Sequence, residues 1–177
     1  MNEPENILNR VITAINNFCD CIDKIDEEEN KRNVFEFLDE CQRHISNLYL
    51  EMSSLPDFDT EYYLNNKELP ENIDKKRLER FFYVLDKLKN MLGGNDLYWT
   101  VFDPYNLEKD DPSQSSLSNN IAEIYDDFKK SMDEFNHFEF TAKEKLDNLK
   151  SNFKSHWYDH ACKALTALSW LLYNKND

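Results

Sequence analysis

Apolar side chains recur every three or four residues through five stretches of this chain, the spacing that lays one stripe along a helix. Ile7, Val11, Ala14, Phe18, Cys21, Ile22 and Ile25 draw the first stripe, with Asp20, Asp23, Glu27, Glu28 and Glu29 on its outer side and exit. At about 100° per residue, Cys19 stands about 200° from Cys21, so the two cannot chelate together and Cys21 joins the apolar face. A second helix is predicted from Arg32 to Ser53, with Val34, Leu38, Cys41, Ile45, Leu48 and Met52 inside and Phe37 and Tyr49 widening the stripe. The third is expected to start after an Asp74 cap and to stop at Gly93-Gly94. Leu78, Phe81, Phe82, Leu85, Leu88 and Leu92 line one of its sides. Lys75, Lys76, Arg77, Arg80, Lys87 and Lys89 line the other, a face that suits either a docking patch or pairing with acids of the same molecule.

The fourth helix opens between Leu117 and Asn120, where Asn120 and Glu123 offer a capping pair, and its core is Ile121, Ile124, Tyr125, Phe128, Met132 and Phe135. Thr141 and Glu144 make a capping box for the fifth, whose pattern runs to Tyr173 without glycine or proline. So long a helix is expected to bend or break near Ser151 to Ser155. Two stretches lack periodicity. SLPDFDTEYYLNNKELPEN reads as a long connection with a short helical turn at Asp59 to Leu64. In NDLYWTVFDPYNLEKDDPSQSS, Pro104 and Pro112 forbid a regular helix, and the aromatic knot of Tyr98, Trp99, Phe102 and Tyr105 is expected to fold back on the core as a loop. With no repeat and no linker, residues 1–177 read as a single all-α domain, a five-helix antiparallel bundle.

Composition narrows the picture. Both glycines sit in one pair, which argues against a sheet-rich fold and against a phosphate-cradling loop. Thirty-five acidic residues against 21 Lys/Arg give a net charge of −14. Such a field repels nucleic acid and anionic lipid and draws basic proteins. MNEPENILNRV lacks the pattern of a signal peptide, and no apolar window approaches a membrane span. A cytoplasmic protein is therefore expected, monomer or dimer, with Cys19, Cys21, Cys41 and Cys162 reduced and no cofactor.

Three segments, YWTVFDP (Tyr98 to Pro104), SLSNNIAEIYDDFK (Ser116 to Lys129) and HWYDHACKAL (His156 to Leu165), resemble an uncharacterised family of bacterial all-helical proteins, a domain of unknown function. In that family an aromatic-VFDP stretch precedes a serine-led acidic helix, and the last helix carries a tryptophan, a histidine and an alanine-leucine run. The likeness lies mainly in residues 98–168. This chain departs from it at Thr166 and Ser169, where the family often has arginine and a terminal histidine. The resemblance implies a helical fold and a bacterial source, and it brings no activity.

Candidate chemistry centres on HWYDH, since His156 and His160 stand four apart, a spacing that lets two imidazoles share a metal. Glu123, Asp126, Asp127, Glu40 and His44 are the further ligands a bundle could offer. On ideal helices, however, Glu123, Asp126 and Asp127 lie at least about 120° from the core direction, His160 about 80° and His156 about 120°. The paired Glu-x-x-His motifs of a dimetal bundle are missing, so no metal is expected. Cys41 reads as a small hydrophobe, and Cys162, two residues past His160, cannot pair with it. Ser115, Ser116 and Ser118 read as caps, and Asp110 and Asp111 lack a calcium-loop pattern.

The leading expectation is a non-enzymatic interaction protein, an immunity or adaptor protein for a basic partner. The alternatives are a small-ligand cleft at Tyr98, Trp99, Asp103, Tyr125 and His160, and a metal-dependent enzyme using His156 and His160.

Overall fold

The structure, a computed structural model, describes residues 3–25, 33–56, 69–100 and 112–173. Its helices are α1 (Glu3–Asp23), α2 (Val34–Ser53), α3 (Glu71–Leu92), α4 (Leu117–His137), α5 (Ala142–Asn152) and α6 (Tyr158–Tyr173). A π-helical turn, Phe153–Trp157, joins α5 to α6, so the expected long last helix forms with its irregularity where it was predicted, and five helical rods make the bundle. The rod α4 packs between α3 and α6, α6 also packs on α2, and α1 lies against α2, α4 and α5.

The π turn has a cause in the sequence. Leu149, Phe153, Trp157 and Ala161 are all buried and follow one another at three successive four-residue steps. On a regular α-helix that spacing would drift about 120° around the axis. A turn with i→i+5 bonding holds one more residue and absorbs the drift. Trp157 therefore stays in the core, its ring 4.9 Å from Phe128 and 4.7 Å from Phe153.

Most of the inner stripes are as the periodicity predicts, and the capping box of Thr141 and Glu144 is present in both directions. Gly93, at φ 52°, ends α3 as expected. Cys19 is buried, as Cys21 is, because α1 has helices on more than one side, and burial pushes its thiol up to about 12. Other readings need correction. The third helix starts at Glu71, with Pro70 rather than Asp74 at the cap position. Leu78 and Phe82 are exposed and Val84 is the buried residue instead, since α3 packs mainly on one neighbour, α4. The aromatic stretch is not simply a loop: Leu97–Thr100 (β1) pairs antiparallel with Ser113–Ser116 (β2), Tyr98 opposite Ser115 and Trp99 opposite Gln114.

This hairpin leads into α4 through a buried acid. Asp96 Oδ1 accepts from Ser118 N at 2.7 Å, its backbone carbonyl accepts from Leu117 N at 2.8 Å, and Ser116 Oγ accepts from Asn119 N at 3.1 Å. Carboxylate and hydroxyl thus satisfy donors that a helix start leaves free, and the negative charge suits the positive end of the dipole. Asn120, expected as a cap, is inside the helix and buried. Asp59 to Leu64, Phe102, Asp103, Pro104, Tyr105, Asp110 and Asp111 lie outside the described residues.

Candidate metal centre

Three helical pieces bring the candidate ligands together. His156 sits on the π turn, His160 one turn later on α6, and Glu123 on the facing side of α4. Each offers a donor atom, and these atoms lie within 4.8 Å of one another. The two imidazole rings are 5.0 Å apart, edge to face.

The protonation of both rings follows from their neighbours. His156 Nδ1 lies 2.6 Å from Asp127 Oδ2, and a carboxylate can only accept, so this nitrogen carries the proton. His160 Nδ1 lies 2.8 Å from Asn120 Oδ1. The Asn120 amide nitrogen donates to the Ser116 carbonyl at 2.8 Å, to Tyr98 Oη at 2.7 Å and to Ser115 Oγ at 3.1 Å. A backbone carbonyl is only an acceptor, which fixes the amide orientation and makes Oδ1 the acceptor at His160. Both rings are therefore held through Nδ1–H, and Nε2 of each is the nitrogen left to bind something else.

Charge at the site is finely divided. The bond to Asp127 raises the pKa of His156 despite opposing burial, while burial and the neighbouring His156 lower that of His160. Burial also raises Glu123, against the pull of His156. Asp126 and Asp127 do not face water, as an isolated α4 would have them do. Their side chains are 17 % and 21 % exposed, because Asp126 pairs with Arg77 of α3 and Asp127 with His156.

The remaining predicted residues scatter. Tyr98 joins His160 through Asn120, whereas Trp99 is 72 % exposed on the hairpin. Tyr125 belongs to another cluster: its hydroxyl donates to Asp23 Oδ1 at 2.6 Å, and Arg80 and Lys129 also bind Asp23, at 3.0 and 2.8 Å. These residues border a cleft of about 330 Å³ with Lys76 and Arg77. Arg77 and Arg80 thus pair with acids of the same molecule, one of the two roles open to the basic face. Glu40 and His44 of α2 do not stand alone on the flank; they meet Cys21 of α1. Cys162 lies against Tyr49. Sequence reasoning missed Asn120 and Asp127 as holders of the two rings, and the signal available was their spacing of seven, two helical turns along one face of α4.

A compact helical bundle carrying a partly exposed His–His–Glu cluster is the class these observations define. The chain belongs to the DUF5063 family, a domain of unknown function, whose family model matches residues 2–174. The resemblance drawn from its three sequence segments, to an uncharacterised helical domain family, is thereby upheld. Among solved structures it is similar to protein BF1032 from Bacteroides fragilis, with 18 % identity over 93 % of this chain and 91 % of that one and a TM-score of 0.68. At that identity the likeness shows a shared fold. No curated protein matches the chain.

Proposed function

We propose that the protein binds one divalent transition-metal ion through Glu123, His156 and His160, between α4 and α6. The observation that carries this reading is the holding of both imidazoles at Nδ1 by acceptors, which leaves Nε2 of each ring as its ligand atom, in a cluster where one donor atom from each ring and the Glu123 carboxylate lie within 4.8 Å of one another. Metal-binding histidines are commonly oriented in this way, by a carboxylate or amide on the second nitrogen. Two imidazoles and one carboxylate suit zinc or iron(II), and three protein ligands leave a coordination position for water or a substrate. Trp157 follows His156 where metalloprotease helices carry their catalytic glutamate, and it is buried in the core. The reading is therefore of an open metal centre without that base. Elemental analysis of tag-free protein, with zinc and iron(II) titrations of wild type, His156→Ala and His160→Ala, tests it. Each variant is expected to bind one equivalent fewer than wild type; equal stoichiometry in wild type and both variants would overturn it.

A second reading, docking of a basic protein, is favoured by Leu97 and Trp99. They occupy alternate positions on β1 and share its outward face, 56 % and 72 % exposed, on a chain of net charge −14. A pulldown from the native bacterium should then retain a basic protein that the Leu97→Ser/Trp99→Ser variant releases. Equal retention by both would remove this reading. No helix of the described residues is long and apolar enough to cross a membrane.

A further inference from the structure

We infer that Cys21, Glu40 and His44 form a second cation site that takes a thiophilic divalent ion of the zinc class. It lies between α1 and α2, on different helices from the centre above, and does not depend on it.

Glu40 and His44 stand one turn apart on α2 and face each other at 3.7 Å. Alone they are an ordinary i,i+4 ion pair. The facing helix changes this, because α1 directs the Cys21 thiol at the pair. One donor atom from each of the three residues lies within 4.8 Å of the others. Cys41 is in hydrogen-bond contact with Cys21 but is not one of the three donors. One sulfur, an imidazole nitrogen and a carboxylate oxygen make a three-donor set that zinc accepts, with water completing a tetrahedral site. Magnesium and calcium, which want oxygen ligands, are a poor match.

Burial is graded across the cluster. Cys21 is buried, whereas the Glu40 and His44 side chains are 29 % and 25 % exposed. An ion can arrive from the Glu40–His44 side and be held by the Cys21 thiol beneath. Binding displaces the Cys21 thiol proton to solvent as the metal–sulfur bond forms, so affinity rises with pH. Because the ligands come from two helices, the ion pins α1 to α2, and loading stabilises the fold by mass action.

Cobalt(II) and cadmium titrations of the full-length reduced protein test this, because only thiolate ligation produces a sulfur-to-metal charge-transfer band. The expected result is a band saturating at one equivalent in wild type, absent in Cys21→Ser and retained in His156→Ala and His160→Ala. Retention in those two also separates the site from the α4–α6 centre. Should Cys21→Ser fail to fold, His44→Gln, at a side chain only a quarter exposed, must weaken cobalt binding at least tenfold with helicity unchanged. Metal binding by wild type with no sulfur band, or a band that persists in Cys21→Ser, or unchanged affinity in His44→Gln would overturn the inference.

Discussion

Asn120 Oδ1 accepts the Nδ1 proton of His160 at 2.8 Å, from an amide whose nitrogen is fastened to Tyr98, Ser115 and the Ser116 carbonyl. The β-hairpin thereby sets the orientation of an imidazole on α6. Asn120→Ala removes the acceptor, and zinc affinity should fall about 10- to 100-fold, the usual cost of deleting a group that orients a ligand. Calorimetric titration measures the loss, and nitrogen NMR of the ring should show His160 leaving the Nδ1–H tautomer. Unchanged affinity would mean that Asn120 does not orient the ring.

The two histidines should titrate on opposite sides of the ordinary value of about 6.5. His156 is raised by Asp127, so its contribution to apoprotein stability is complete below that value and is lost as pH rises through its folded pKa. His160 is lowered by burial, so its contribution is present above the unfolded value and is lost as pH falls. Imidazole proton NMR across the range checks the order, and His160 titrating above His156 would refute it. In Asp127→Asn the His156 titration should move down.

Tyr125 is 1 % exposed and donates to a charged acceptor, Asp23, so Tyr125→Phe should cost about 2 kcal/mol in urea unfolding. Burial works to raise Asp23, but its bonds to Lys129, Tyr125 and Arg80 prevail and lower it. Its stabilising effect is therefore present above the unfolded value of about 3.9 and fades as pH falls. Asp23→Asn should flatten the acid limb of the stability profile.

Trp157 and Trp170 offer a paired comparison, since one is 1 % and the other 71 % exposed on the same helical rod. Trp157→Ala should destabilise by about 3–5 kcal/mol through lost transfer energy and a cavity. Trp170→Ala should stay within about 0.5 kcal/mol, as surface substitutions do. Similar losses in the two would contradict the burial assignment.

How far the sequence carried depends on what each residue meets. The stripe of Leu38, Cys41, Ile45, Leu48 and Met52, the Gly93 stop and the Thr141–Glu144 box are decided within one helix, and local spacing reveals them. Asp127 was misplaced because a single core direction was assigned to α4. That helix has α3 on one flank and α6 on another, so a residue pointing away from the main stripe still meets a neighbour. The hairpin escaped notice because Ser113 to Ser116 is wholly polar and carries no alternating pattern. Cys21 meets Glu40 and His44 only through the packing of α1 on α2, a relation between separate helices.

The widened turn at Phe153–Trp157 makes the last rod behave like a shaft with a fixed angular offset. Substitutions there perturb one side chain, but loss of one residue would act as a rotation. Everything downstream would swing by about 100°. Leu168 would leave its buried place against the bundle, and His160 would turn away from Asn120, eight residues nearer the turn. The length of this short segment, more than its composition, is what keeps the chemistry of α6 aligned with α4.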